Sequence, residues 1–142
     1  MNFKNFLDKT IFLWLPVFLW AMVIFLFSAM PTNPVSQIHW QDFIVKKSAH
    51  VIEYAIFVTF LYRALYACGI DKKKAGFYSI LLAVFYGITD EFHQSFTPGR
   101  TPKARDVIFD TLGSISAIYL IWNYLPTAPE KIKKIAKDLR IM

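Results

Sequence analysis

The sequence predicts an all-α fold: a polytopic membrane bundle of four transmembrane helices with short loops, followed by a basic tail that suits an amphipathic helix. Three observations predict it. Of the 142 residues, 56% are hydrophobic and 18% charged, whereas soluble domains run about 45–50% apolar and about 25% charged. Apolar runs recur at about the 20-residue length that crosses a ~30 Å hydrocarbon layer. The charged residues gather at the ends of those runs instead of alternating with them. Four such spans use most of the chain, so residues 1–142 are expected to form one domain.

Residues 11–30 (IFLWLPVFLWAMVIFLFSAM) carry no charge and make the first span. Lys4 and Lys9 precede it, as they would a secretory leader, but the run exceeds an h-region of about 7–15 residues and no A-x-A site follows. Pro31 to Val45 is polar and holds Pro31 and Pro34, so it reads as an external loop with Trp40 at the interface. The second span covers 47–67 and the third 75–96, with Gly69 to Lys74 as a short charged turn between them. Thr97-Pro98-Gly99-Arg100 has Pro and Gly where a type II turn needs them, and Thr101-Pro102 supplies an N-cap and N1 pair for the fourth span, 103–125. In the tail, 126–142, Ile132, Ile135, Ala136 and Leu139 fall at helical spacing among lysines, which fits either a helix on an anionic leaflet or a solvated tail. Cys68 is the only cysteine; it has no internal disulfide partner and reads as a packing residue.

The net charge is +6, yet the basic residues sit in short clusters between apolar runs, which argues for membrane topology and against a nucleic-acid partner. Placing both termini in the cytoplasm puts Lys4, Lys9, Lys72 to Lys74, Lys131, Lys133, Lys134, Lys137 and Arg140 inside. Only Lys46, Lys47, Arg100, Lys103 and Arg105 are then outside, as the positive-inside rule prefers. Arg63, near the inner end of the second span, is expected to snorkel inward.

A charge within a span costs about 2.5–3.5 kcal/mol at mid-helix, so each one needs a partner or a role. Lys47, His50, Glu53 and Tyr54 share a face of the second helix over two turns. The third helix ends in Asp90, Glu91, His93 and Gln94, and the fourth begins with Arg105, Asp106 and Asp110, with Gly113 one turn on. At ~1.5 Å per residue Asp90 is roughly 24 Å above Lys74, so the three sets meet near the outer leaflet. Polar groups at helix ends also pair as structural glue; the convergence of three sets at one level favours a site. Gly87 and Gly113 read as close helix contacts. The candidate catalytic residues are His50, Glu53, Asp90, Glu91 and Asp106, and the candidate ligand-binding residues are Lys47, Tyr54, His93, Gln94, Arg100 and Asp110.

These residues resemble the VanZ-like family of small bacterial membrane proteins, named for a protein associated with teicoplanin resistance. The likeness runs through Trp20 to Pro31 (WAMVIFLFSAMP), through Lys47, His50 and Tyr54 in K-x-x-H-x-x-x-Y, and through Asp90-Glu91-x-x-Gln94 followed by Phe96, Pro98, Gly99 and Arg100. It ends with Asp106-x-x-x-Asp110-x-x-Gly113, where many members carry Asn in place of Asp110. The resemblance implies a multi-pass protein of the bacterial cell membrane that acts at the envelope. It names a family, not a reaction.

Two functions of different class fit. One is a non-enzymatic pocket for a lipid headgroup, a cell-wall precursor or a glycopeptide, with Lys47 and Arg100 holding a phosphate or carboxylate and Asp90, Glu91 and Asp106 positioning them. The other is an intramembrane hydrolase or transferase acting on a lipid-linked phosphate or sugar, with His50 as general acid or base beside Glu53 or Asp90. A metal variant would use His50, Asp90, His93 and Asp106, although D-E-x-H matches no established ligand spacing. No Ser or Cys stands out as a nucleophile, no glycine loop cradles a phosphate, and no cofactor is assigned.

Overall fold

An apolar run has no side chains to bond its own peptide groups, so the backbone satisfies itself as helix. The computed structural model describes residues 3–30, 38–97 and 103–142, with side chains from residue 10 onward in the first segment. It contains α1 (Phe3–Ser28), α2 (His39–Ala67), α3 (Lys72–Gln94), α4 (Ala104–Tyr119) and α5 (Glu130–Asp138), and no strand among the described residues.

The boundaries differ from expectation where helix continues past an apolar run. α1 starts in the polar segment ahead of residue 11 and runs through Pro16. α2 begins at His39, so the C-terminal part of the expected external loop is helix, and Trp40 stands on its first turn. No Gly or Pro interrupts 39–67, and a Lys46–Asp42 ion pair of 2.8 Å at i,i+4 supports the added turns. Pro31 and Pro34 lie outside the described residues. α3 begins within the expected charged turn, because the Asp71 carboxylate accepts the Lys73 and Lys74 N–H groups at 3.0 and 3.3 Å and caps the helix. After α4 the chain loosens into a π turn, Leu120–Tyr124, and a 3-10 turn, Leu125–Thr127, since Pro126 has no N–H with which to continue the ladder.

Cys68 is exposed, not packed as expected. It is the C-cap of α2, and Gly69, at φ 92°, turns the chain in the left-handed region that glycine alone enters freely. Arg63 does not snorkel either. It is 6% exposed, and its Nε–H donates to the Leu139 carbonyl at 2.8 Å while its guanidinium lies 4.8 Å from the Phe12 ring centre. The tail folds back beneath the bundle, burying Ala128 and Ala136.

α2 packs most extensively against α4, then against α3 and α1. A methyl group on Gly113 would overlap the Val51 backbone, so α2 and α4 meet main chain to main chain. The core is built from Leu13, Val17 and Ile24 of α1, Tyr54, Val58, Leu61 and Tyr62 of α2, Ala75 and Ala83 of α3, and Ala117 and Ile118 of α4. α1 is fastened by Trp20 Nε1–H to the Glu53 carbonyl at 2.9 Å and by the Tyr86 hydroxyl to the Ala21 carbonyl at 2.6 Å.

The outward faces are apolar on every long helix: Phe18 is 67% exposed, Ile52 58%, Phe85 67% and Ile108 59%. Such continuous apolar cover marks a surface meant for something other than water. Among the described residues one stretch, Thr10–Ser28, is long and apolar enough to cross a membrane by length and composition. α2, α3 and α4 carry charges within helical bounds at the end where Lys47, Asp90 and Asp106 meet, and α2 and α3 also carry Arg63 and Lys72 to Lys74 toward the other end.

Gly113→Ala should lower stability by about 1–3 kcal/mol or more, because backbone cannot step aside as a side chain can. Thermal unfolding in detergent measures this; an unchanged midpoint would show that α2 and α4 are not in main-chain contact.

Candidate functional site

On α2, Lys47, His50 and Tyr54 are spaced at i, i+3 and i+7, one face over two turns. On α4, Asp106 and Asp110 are one turn apart. The two faces meet as rungs: Lys47 Nζ donates to Asp106 Oδ1 at 2.6 Å, and His50 Nδ1 donates to Asp110 Oδ1 at 2.9 Å. The order of the rungs shows that α2 and α4 run in the same direction. His50 Nε2 is left 3.9 Å from Asp106 Oδ2. On α3, Asp90 Oδ2 accepts from Gln94 Nε2 at 2.9 Å, and Glu91 Oε2 accepts the Lys103 backbone N–H at 2.6 Å, joining the end of α3 to the start of α4.

These helices and α1 enclose a cavity of about 520 Å³, within the ~300–1,000 Å³ usual for small-ligand sites. Of the residues expected from sequence, Lys47, His50, Glu53, Tyr54, Asp90, Gln94 and Asp106 line it. Asp110 lies behind His50 and is 2% exposed. Glu91 faces the α3–α4 connection, and Arg100 lies outside the described residues. His93 faces α1, its ring centre 4.3 Å from that of Phe25. The metal variant therefore does not assemble: among the described residues no group of three His, Cys, Asp or Glu side chains is placed to hold an ion.

Sequence reasoning missed His39 and Asp42, treated Lys46 and Lys103 only as topology markers, and placed Arg105 in the polar start of the fourth helix without making it a site candidate; all five line the cavity. The signal was present. His39, Asp42 and Lys46 continue the face of His50 and Tyr54 upstream at helical spacing, and the assignment of 31–45 to a loop hid the first two. Ser28, at the end of α1, also lines the cavity.

Electrostatically the site is mixed. Lys46 and Lys47 are matched by Asp42 and Asp106, so Lys47 brings no free positive charge for an anion. Lys103 and Arg105 stand exposed at the mouth, with Arg105 Cζ 4.9 Å from the Phe43 ring centre.

The VanZ/LLP1 family model matches residues 12–125. The chain belongs to the VanZ/LLP1 family. That match takes in every residue of both rungs, and α5 follows it. Members of the VanZ/LLP1 family are typically membrane-associated. A search of the curated proteins and a search of the solved structures each gave no match.

Lys47 and Asp106 keep only 11% and 12% side-chain exposure, so removing one partner strands a charge. Lys47→Met and Asp106→Leu should each destabilise by about 3 kcal/mol, while the double substitution recovers most of the loss. Unfolding of the four proteins in one detergent gives the coupling, and additive losses would mean the pair is not a unit.

Proposed function

We propose that this VanZ/LLP1 protein is a multi-pass protein of the bacterial cytoplasmic membrane, crossing it as four helices, α1 to α4, with both termini in the cytoplasm. Its outer-leaflet pocket binds a lipid-linked or cell-wall-linked ligand, and it acts at the cell envelope, where the phenotype to examine is teicoplanin resistance. The observation that carries this reading is the cavity itself, lined by His50, Asp90, Gln94 and the Lys47–Asp106 pair at one end of a bundle whose sides are apolar. Lipid accounts for the apolar cover, and the charges within α2 to α4 fall at headgroup depth or inside the bundle, where they are tolerated. The opposite end carries Lys72 to Lys74 and the basic tail, which supports a cytoplasmic base.

The native Cys68 tests the orientation without any substitution, since it is exposed beside the α2–α3 turn. A membrane-impermeant maleimide should label it only after the cells are permeabilised; labelling of intact cells would reverse the topology. For the pocket, His50→Ala, Asp90→Asn, Gln94→Ala and Arg100→Gln are expected to accumulate in the membrane and to lose teicoplanin protection. Variants that disappear from the membrane would make these residues structural.

One observation favours a second reading, an intramembrane hydrolase or transferase acting on a lipid-linked phosphate or sugar. Asp110 fixes the His50 ring through Nδ1 and leaves Nε2 toward the cavity, the arrangement by which a carboxylate orients a general base. Under that reading His50→Gln keeps ligand binding and abolishes turnover of a lipid-phosphate substrate. Absence of turnover by the wild-type protein removes the reading.

A further inference from the structure

We propose that the deep end of the pocket is a subsite for a primary ammonium group carried next to a phosphate, the chemistry of a phosphoethanolamine headgroup. The proposal rests on the pocket being a ligand site, as argued above, and deepens it by naming the ligand class.

Four carboxylates are buried at this end of the bundle, and three are accounted for. Asp106 has Lys47 at 2.6 Å, Asp110 has His50 at 2.9 Å, and Glu91 takes the Lys103 N–H. Among the described residues Asp90 has only the neutral amide of Gln94. It is 7% exposed, and its Oδ1 has no hydrogen-bond partner among the described residues. Asp90 also lies near the C-terminal end of α3, where the helix dipole disfavours a negative charge, whereas Asp106 sits in the first turn of α4, where the dipole favours one. A buried carboxylate so placed needs a cation.

Two of the residues that line the same cavity carry a further buried polar atom without a partner among the described residues: the Tyr54 hydroxyl, on a residue 1% exposed, and Ser28 Oγ, on a residue 4% exposed. Asp90 Oδ1, Tyr54 and Ser28 come from three different helices. An ammonium supplies three N–H donors, no acceptor and one positive charge, which matches three acceptors and one carboxylate. A sugar hydroxyl would satisfy the hydrogen bonds and leave the charge of Asp90 unbalanced. A divalent ion wants more oxygens and more negative charge than one carboxylate and two hydroxyls offer.

The mouth carries the opposite sign. Lys103 and Arg105 line it and make no ion pair among the described residues. A pocket anionic at depth and cationic at the rim orients a zwitterion with its amine inward and its phosphate outward, where Arg and Lys bind phosphate readily.

The test uses the full chain in detergent and native mass spectrometry, with phosphatidylethanolamine, phosphatidylcholine and phosphatidylglycerol of identical acyl chains. The wild-type protein is expected to retain phosphatidylethanolamine about tenfold better than the other two, the ratio that corresponds to about 1.4 kcal/mol. The quaternary amine of phosphatidylcholine has no N–H, and phosphatidylglycerol has no cation. Asp90→Asn should erase the preference while phosphatidylglycerol binding persists. Equal retention of all three lipids by the wild-type protein overturns the ammonium subsite and leaves the pocket reading standing. That is the result expected if Arg100 is the counter-ion of Asp90. Ala49→Trp, which fills the cavity, should abolish retention of all three; retention unaffected by it overturns the pocket reading itself. The headgroup series on the wild-type protein needs no substitution, so the proposal stays open to refutation even if a variant fails to fold. Soluble phosphoethanolamine competing as well as the lipid assigns a free headgroup as the source, and failure to compete at millimolar concentration assigns the lipid.

Discussion

The close approach of α2 and α4 at Gly113 and Val51 is the constraint on which the polar end of the molecule depends. Lys47 to Asp106 and His50 to Asp110 are direct contacts of 2.6 and 2.9 Å, and Asp is a short side chain that cannot span a wide gap. A Cβ at residue 113 would meet the Val51 carbonyl and push the helices apart, and both rungs would open together. Burial makes that opening costly, since a stranded charge loses water without gaining a partner. One missing methyl group thus sets the geometry of four charged or titratable groups.

The parallel course of α2 and α4 adds a second effect. Both helices begin at the pocket end, so both present their partly positive N-termini there. Asp42 and Asp106 lie in those first turns, and this accounts for two of the carboxylates around the cavity without any ligand. His50 accounts for Asp110. Glu91 takes the Lys103 N–H, and the buried carboxylate that remains among the described residues is Asp90, on a helix that ends at the pocket instead of beginning there. The number of acidic residues at this end is therefore a poor guide to function; the one that helix direction and pairing leave unexplained is a better one.

How far the fold was legible in the sequence follows from the same geometry. The all-helical architecture and the meeting of Lys47, His50, Asp90, Gln94 and Asp106 could be read from spacing, because long apolar runs fix helix direction and depth together. The start of α2 could not, since Pro31 and Pro34 draw the stretch into a loop reading and the polar face of 38–45 has meaning only against the cavity it lines. His93 failed for a different reason. It is three residues from Asp90, and Gln94 is four, so at 100° per residue they diverge from Asp90 in opposite senses, about 60° one way and about 40° the other. α1 packs in that gap and takes His93 against Phe25. Spacing alone does not say which of two near-aligned neighbours a third helix will claim.

The Arg63 end of the bundle shows what a closed solution to a buried charge looks like, and the contrast bears on the pocket. Arg63 is as buried as Asp90, but its N–H meets the carbonyl of Leu139, the C-cap of α5, where the end of a helix carries partial negative charge and unsatisfied acceptors. The Phe12 face covers the rest of the guanidinium. The chain thus folds its own tail back to satisfy Arg63 internally, and that end needs nothing from outside. At the opposite end the described helices supply Asp90 with one amide and leave Oδ1, the Tyr54 hydroxyl and Ser28 Oγ without a partner, on three residues that line one cavity. The bundle thus clasps a buried charge with its own backbone at one end and, among the described residues, leaves one unmatched at the other, which is the contrast on which the proposed ammonium subsite rests.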